Sequence, residues 1–309
     1  MNHRICLSRR AFLACSAASV IAPRAAAAAG PSSSSPPAAK EPLRLTRGVM
    51  LWRIGDILDF DEQVAWVAEA GFESIGFHAS RGTPGKWRGI DPEDADAARR
   101  RRVRKLISPF RQCEIHAPFE AELKANTPEK VLAKLEQVLR FAADVGVSVV
   151  TVHAVPPPLD VKGGADRWQR DLDRLDAAAR KAEVRVGIEL NRGFSWLRKP
   201  RREWIGVTLD VGHMYFDHRP GYRPWGTIGG QVHFLADLLF HLHLHDNTGT
   251  VDHIEIGTGK VDWRDLFESL AAIRYQGSMM LEMNPDRVTP EGIRRSGEYV
   301  AGRWPARGT

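Results

Sequence analysis

Three things are scarce in this chain of 309 residues: cysteine, net charge beyond its first segment, and long apolar runs. Cysteine occurs three times, and Cys6 and Cys15 both fall within the first 29 residues, leaving only Cys113. A body with one thiol cannot close an internal disulfide, so its stability must come from its core or from a bound metal. The formal net charge is +6, but residues 1–29 carry Arg4, Arg9, Arg10 and Arg24 and no acid. Beyond them 40 Lys and Arg face 38 Asp and Glu, a net of +2. A body that close to neutral projects no general field for nucleic acid, and none is expected as a partner. No apolar run reaches the roughly 20 residues of a membrane helix, so no membrane anchor is expected. The remainder, 43% hydrophobic and 27% charged, is ordinary globular composition for one large domain or two small ones.

Residues 1–29 have a basic start, an apolar stretch over 11–22 and an alanine run over 25–29. That is the layout of an export signal with a small-residue cleavage site. Ser8-Arg9-Arg10-Ala11-Phe12-Leu13 adds the S-R-R-x-F-L pattern of the twin-arginine route, which carries folded proteins. The reading predicts a cleaved signal peptide and a periplasmic mature chain. Residues 30–42, rich in Ser and Pro, read as a flexible linker. Residues 43–309 read as a single domain.

From residue 43 onward short β-branched runs alternate with longer helix-patterned stretches. Strands are expected over 48–54, 73–78, 113–118, 148–154, 185–191, 205–211, 240–246 and 278–284. Helical segments are expected over 61–71, 91–111, 127–146, 165–182, 230–239, 262–275 and 290–302. Thr127-Pro128-Glu129 supplies an N-cap with Pro at the first helical position, and Gly71 and Gly146 stand where helix-ending glycines belong. The fifth crossover, 192–204, is short and very basic, so only a rudimentary helix is expected there. Eight βα units in about 265 residues predict an α/β fold, a (β/α)₈ TIM barrel.

The expected strands end in polar residues: His78, His116, His153, Glu189, Asp210, His243 with His245, and Glu282. A barrel gathers its carboxyl-terminal strand ends on one ring, where such groups would repel or stay unsatisfied without a cation among them. Carboxylate and imidazole donors suit Mn²⁺, Mg²⁺, Co²⁺ or Zn²⁺. On the seventh strand His241, His243 and His245 alternate with Phe240, Leu242 and Leu244, so all three histidines face the barrel interior. His241, the deepest, reads as a core polar group or as support for a ligand. His243 reads as a ligand, and His245 as support or as a substrate contact.

The ordered set HAPF, TVHA, IELN, LDVGH, HLHLHDN, GTG and LEMN resembles the xylose isomerase-like barrels. These include sugar isomerases and epimerases, inosose dehydratases and endonuclease IV. The resemblance covers residues 44–303. By the sugar epimerase pattern it implies one divalent metal held by Glu189, Asp210, His243 and Glu282. His213 would touch substrate near the metal, and His116 and His153 would line the mouth. Gly212 would let the chain turn sharply between Asp210 and His213. The implied chemistry is proton removal from a keto-sugar or polyol, an enediolate intermediate, and proton return, shared between Glu189 and Glu282. His245, His253 and Arg287 are further substrate-binding candidates. Trp52, Phe119, Trp196 and Trp225 could stack on the apolar face of a sugar ring.

Two other classes remain open. Endonuclease IV uses three zinc ions, and its pattern would recruit His116, His153, Glu189, Asp210, His213, His243, His253 and Glu282. The aspartate that it needs two residues before the loop histidine is Val251 here, with Asp252 directly before His253. A lyase or dehydratase would use the same carboxylates as an epimerase. A barrel that only binds its ligand is disfavoured, because all four metal positions are filled.

Overall fold

The computed structural model describes residues 45–123, 126–153, 164–190, 193–219 and 222–304. The expected signal peptide and linker lie outside these residues.

Eight strands alternate with helices in chain order. The strands are β1 (Thr46–Leu51), β2 (Ser74–His78), β3 (Gln112–His116), β4 (Val149–Val152), β5 (Arg185–Glu189), β6 (Ile205–Asp210), β7 (Leu239–Leu244) and β8 (Ser278–Leu281). The helices are α1 (Phe60–Glu69), α2 (Ala97–Ile107), α3 (Glu120–Leu123), α4 (Pro128–Val145), α5 (Gly164–Ala182), α6 (Ile228–Leu235), α7 (Trp263–Ala272) and α8 (Pro290–Arg303). All strands are parallel and pair with their sequence neighbours, and β1 closes on β8 with Thr46 opposite Ser278, giving a closed barrel. No helix among the described residues is long and apolar enough to cross a membrane.

Local chemistry accounts for the boundaries. Thr127 caps α4 by accepting from the Lys130 amide, Pro128 opens it, and Gly146 at φ +83° ends it. The helix expected from residue 91 begins only at Ala97, because Asp96 takes the Arg99 amide at 2.7 Å and sets the cap there. The fifth crossover holds only a 3₁₀ turn, Phe194–Leu197. Except for β2, which ends at His78 as expected, the strands end earlier than expected, β3 at His116, β4 at Val152 and β8 at Leu281.

Strand alternation sorts the side chains. Phe77 points outward and meets Phe60 of α1 and Phe141 of α4, with ring centroids 5.3 and 6.5 Å away. Barrel interiors are commonly filled with branched apolar residues. Here a middle layer of the interior is polar: Glu114, Thr151, Thr208 and His241, all buried. These groups satisfy one another. Thr151 Oγ1 donates to Glu114 Oε1 at 2.5 Å and lies 2.9 Å from Thr208 Oγ1. Gly187 leaves the room this layer needs, since a Cβ there would collide with Thr208 Oγ1. Gly187→Ala should therefore cost about 1–3 kcal/mol through overpacking, read as a lower denaturant midpoint. An unchanged midpoint would mean that the layer is loosely packed.

Candidate metal centre

Barrel closure brings Glu189, Asp210, His243 and Glu282 together at the mouth, each offering a ligand atom within 4.8 Å of the others. Glu189 and Asp210 end β5 and β6, His243 is the penultimate residue of β7, and Glu282 directly follows β8. Glu189 Oε2 and Glu282 Oε2 each lie 3.1 Å from His243 Nδ1. Two donors sharing a tetrahedral cation at about 2.0–2.2 Å stand roughly 3.3 Å apart, so this spacing fits a bound divalent ion.

Two further groups flank the centre. On one side His116, His153 and Glu189 converge. His116 Nδ1 lies 2.6 Å from the Ala117 carbonyl and so carries its hydrogen there, which leaves Nε2 buried, bare and without a partner. His153 Nε2 stands 2.8 Å from Glu189 Oε2. On the other side Asp210, His213, His245 and His253 converge. His213 Nδ1 is 3.1 Å from Asp210 Oδ2 but lacks hydrogen-bond geometry. Orphaned imidazole nitrogens beside carboxylates are what metal ligation would satisfy.

The loop after β7 is tied down by Asp246. Its carboxylate accepts from the amides of Asn247, Gly257 and Val261 and from Trp263 Nε1. His253 sits in that loop at φ +50°, an uncommon value for a residue with a side chain. Its amide donates to His245 Nδ1 at 2.8 Å, and its carbonyl accepts from the Asn284 amide at 3.0 Å. Because His245 Nδ1 accepts, its Nε2 carries the hydrogen and donates to Asp210 Oδ2 at 3.0 Å. Both nitrogens of this fully buried ring are engaged within the protein. The ring lies directly over Gly212, where a Cβ would overlap it. Gly212 thus serves a close approach; it opens the 3₁₀ turn Gly212–Tyr215 without the positive φ expected of a sharp reversal.

Asp252 is the residue that sequence spacing placed out of register. The strained loop nevertheless brings it in: Asp252 Oδ2 lies 3.4 Å from His213 Nε2 and 3.2 Å from His253 Nδ1. Arg287 donates to Asp252 Oδ1 at 2.9 Å and to its carbonyl at 2.7 Å, so it is occupied holding this carboxylate. Sequence reasoning also missed Glu114, although it shares the inward face of β3 with His116. Trp52, Trp87 and Phe119 gather beside His78 and His116, within 6.3 Å of one another. Trp225 instead stacks on Phe234 at 3.9 Å. The side chain of Trp196 lies outside the described residues.

The charges are tightly interlocked. Burial alone would push the carboxyls of Glu189 and Glu282 up, but His153, His213 and His243 hold Glu189, and His243 and His253 hold Glu282, well below the usual range. Burial lowers His243, yet Glu114, Glu282 and Glu189 raise it well above the ordinary imidazole value. His213 is raised by Asp210, Asp252 and Glu189 against the effect of burial. His116, buried beside His153, falls to about 4. Without a cation, protons on these imidazoles neutralise the carboxylates, so metal uptake must expel protons.

The chain belongs to the xylose isomerase-like TIM barrel family, whose model matches residues 64–300. An uncharacterised protein of Methanocaldococcus jannaschii is 31% identical over 195 residues, 54% of this chain and 63% of that relative. A probable endonuclease 4 of Mycobacterium tuberculosis is 25% identical over 234 residues, 69% of this chain and 85% of that protein. A D-psicose 3-epimerase of Ruminiclostridium cellulolyticum is 27% identical over 140 residues, 40% of this chain and 43% of that protein. Among solved structures, D-psicose 3-epimerase from Clostridium cellulolyticum superposes with a TM-score of 0.66 at 16% identity, covering 85% of this chain and 100% of that one. The 3-keto-D-glucoside 4-epimerase of E. coli superposes with a TM-score of 0.63 at 18% identity, covering 84% and 100%.

His253 gives this centre a pH signature. In the metal-free chain burial lowers its pKa, but Asp252 and Glu282 raise it from 6.5 to about 9. The stability it contributes is complete below about pH 6.5 and is lost as pH rises through about 9. Thermal stability of the metal-free chain should fall across this window, and less steeply in His253→Gln. Equal slopes for the two chains would contradict the assignment.

Proposed function

We propose that this chain is a metal-dependent sugar isomerase or epimerase acting on a keto-sugar or polyol. One observation carries the reading: Glu189 and Glu282, from β5 and β8, approach the same nitrogen of His243 at 3.1 Å each. Two carboxylates thus reach one position from different strands of the ring. One divalent cation (Mn²⁺, Co²⁺, Mg²⁺ or Zn²⁺) held by Glu189, Asp210, His243 and Glu282 would supply Lewis-acid stabilisation of charge developing on substrate oxygens.

The chain's own residues do the rest. One of Glu189 and Glu282 takes a carbon-bound proton, and the other returns a proton to the same or the adjacent carbon. His213, beside both Asp210 and Glu189, hydrogen-bonds a substrate oxygen. His116, His153 and His253 border the same space, while His245 braces Asp210 and Arg287 braces Asp252. Trp52, Trp87 and Phe119 offer an apolar wall for the carbon-bound hydrogens of a sugar. The sugar 3-epimerases among the structural neighbours support this substrate class. The S-R-R-x-F-L pattern at residues 8–13 supports a periplasmic site for this work.

A second reading, a zinc phosphodiesterase like the endonuclease 4 relatives, is favoured by the flanking donor groups and by Asp252 lying against His213 and His253. Against it, most arginines of the two densest basic runs, 99–102 and 198–202, are paired within the chain. Arg99 and Arg102 pair with Asp61, Arg100 with Asp144, Arg198 and Arg201 with Asp237, and Arg202 with Asp173. Such pairing weakens the basic footprint that a nucleic-acid backbone would need.

The test is turnover of a panel of ketoses and keto-glycosides in D₂O, beside hydrolysis of bis-p-nitrophenyl phosphate. Isomerisation or epimerisation with deuterium at the reacting carbon is the expected result; loss of water in place of a rearranged sugar would mark a dehydratase. Glu189→Gln and Glu282→Gln should each lower kcat by roughly 10²–10⁴-fold with an unchanged circular dichroism spectrum. Diester cleavage without sugar turnover would overturn the proposal in favour of the second reading.

A further inference from the structure

Glu114 takes no part in the chemistry above, yet its side chain is wholly enclosed in the barrel, at 0% exposure. It stands on β3 one inward position below His116. Its Oε2 lies 2.6 Å from His241 Nε2, and its Oε1 lies 2.7 Å from His243 Nε2. Thr151 donates its hydroxyl to Oε1 at 2.5 Å. The carboxylate is therefore gripped at both oxygens by three groups from β4 and β7. An ionised carboxylate can only accept, so the facing nitrogen of each histidine must carry hydrogen.

A cation in place of these hydrogen bonds does not fit. Donors sharing a tetrahedral cation stand roughly 3.3 Å apart, whereas these contacts, at 2.6 and 2.7 Å, have the length of charge-assisted hydrogen bonds. The other nitrogen of His243, Nδ1, is the one 3.1 Å from both Glu189 and Glu282.

We infer that Glu114 is a positioning residue for the metal centre: it holds the hydrogen of His243 on Nε2 and so turns the lone pair of Nδ1 towards the cation. His241 holds the second oxygen, so the carboxylate cannot rotate away from His243. Removing the carboxylate frees the ring to place hydrogen on Nδ1, where it competes with the cation. Partners of this kind, one shell behind a metal ligand, commonly contribute 10–100-fold in affinity. The inference rests on the metal-centre reading and goes beyond it, because Glu114 is not among the four ligands of that reading.

The test uses the whole mature chain, with zinc or cobalt as the probe, and two readouts that do not depend on turnover. The first is metal affinity by competition with a chromophoric chelator, for wild type, Glu114→Gln and Glu114→Ala. Roughly 10–100-fold weaker binding is expected, with alanine the more severe. The second is ¹⁵N NMR of the ring nitrogens of wild type, with His243 identified by its loss in His243→Ala. On zinc addition the Nδ1 resonance of His243 should move while Nε2 keeps its proton. Folded variants with wild-type affinity, or zinc on Nε2, would overturn the inference while leaving the metal centre standing. The NMR readout decides even if both variants fail to fold. A wild-type chain that takes up no metal would overturn this inference and the metal-centre reading together.

Discussion

Burying ionised carboxylates requires positive charge among them, and that requirement organises the mouth of this barrel. Asp210, Glu282 and Glu189 are 0, 3 and 7% exposed, and Glu114 sits fully enclosed beneath them. An unpaired buried carboxylate would protonate or unfold its surroundings. Here each acid meets at least one imidazole, and His243 alone touches Glu114, Glu189 and Glu282. Protons on the imidazoles can balance the set, but a divalent cation balances it more directly and leaves His243 neutral. The same electrostatics that makes the site costly to bury makes it a strong cation trap.

Support for the centre is layered along the barrel axis. The polar middle layer, with Glu114 bonded to Thr151 and His241, orients His243 from below. From the side, His245 donates to Asp210 while lying against Gly212, so the two strand ends of β6 and β7 lock together. From above, the loop knotted on Asp246 delivers Asp252 and His253 to His213. Strand positions give the central donors their rigidity. Of the flanking donors, His153, His213 and His253 lie beyond the strand ends, and loop variation is where barrels of one family diverge in chemistry.

Much of this was legible in the sequence. Alternation along 240–246 separated the three histidines from Phe240, Leu242 and Leu244, and the structure buries all three inward as the pattern required. The rhythm of strands and helices led to the closed barrel, the polar strand ends to a metal at its mouth, and the resemblance to the sugar epimerases to the four donors that the structure brings together. What escaped depended on contacts between distant residues. Glu114 lies in the same alternating pattern as His116, but its partners are 127 and 129 residues away, and nothing local flags them. Asp252 was out of register by spacing, yet the loop that carries it, with His253 at φ +50°, sets it against His213 and His253. Gly212 was read as the place of a sharp turn because glycine is permissive, whereas its task is to leave space for the ring of His245.

The central claim is that this charge arrangement exists to hold a cation on His243 and its three carboxylate neighbours. Elemental mass spectrometry of the mature chain, loaded with manganese, cobalt or zinc and then desalted, tests it most directly, with His243→Ala in parallel. The account predicts about one tightly held divalent ion per wild-type chain and its loss from the variant. No retained metal under any loading condition, or equal retention by His243→Ala, would contradict it.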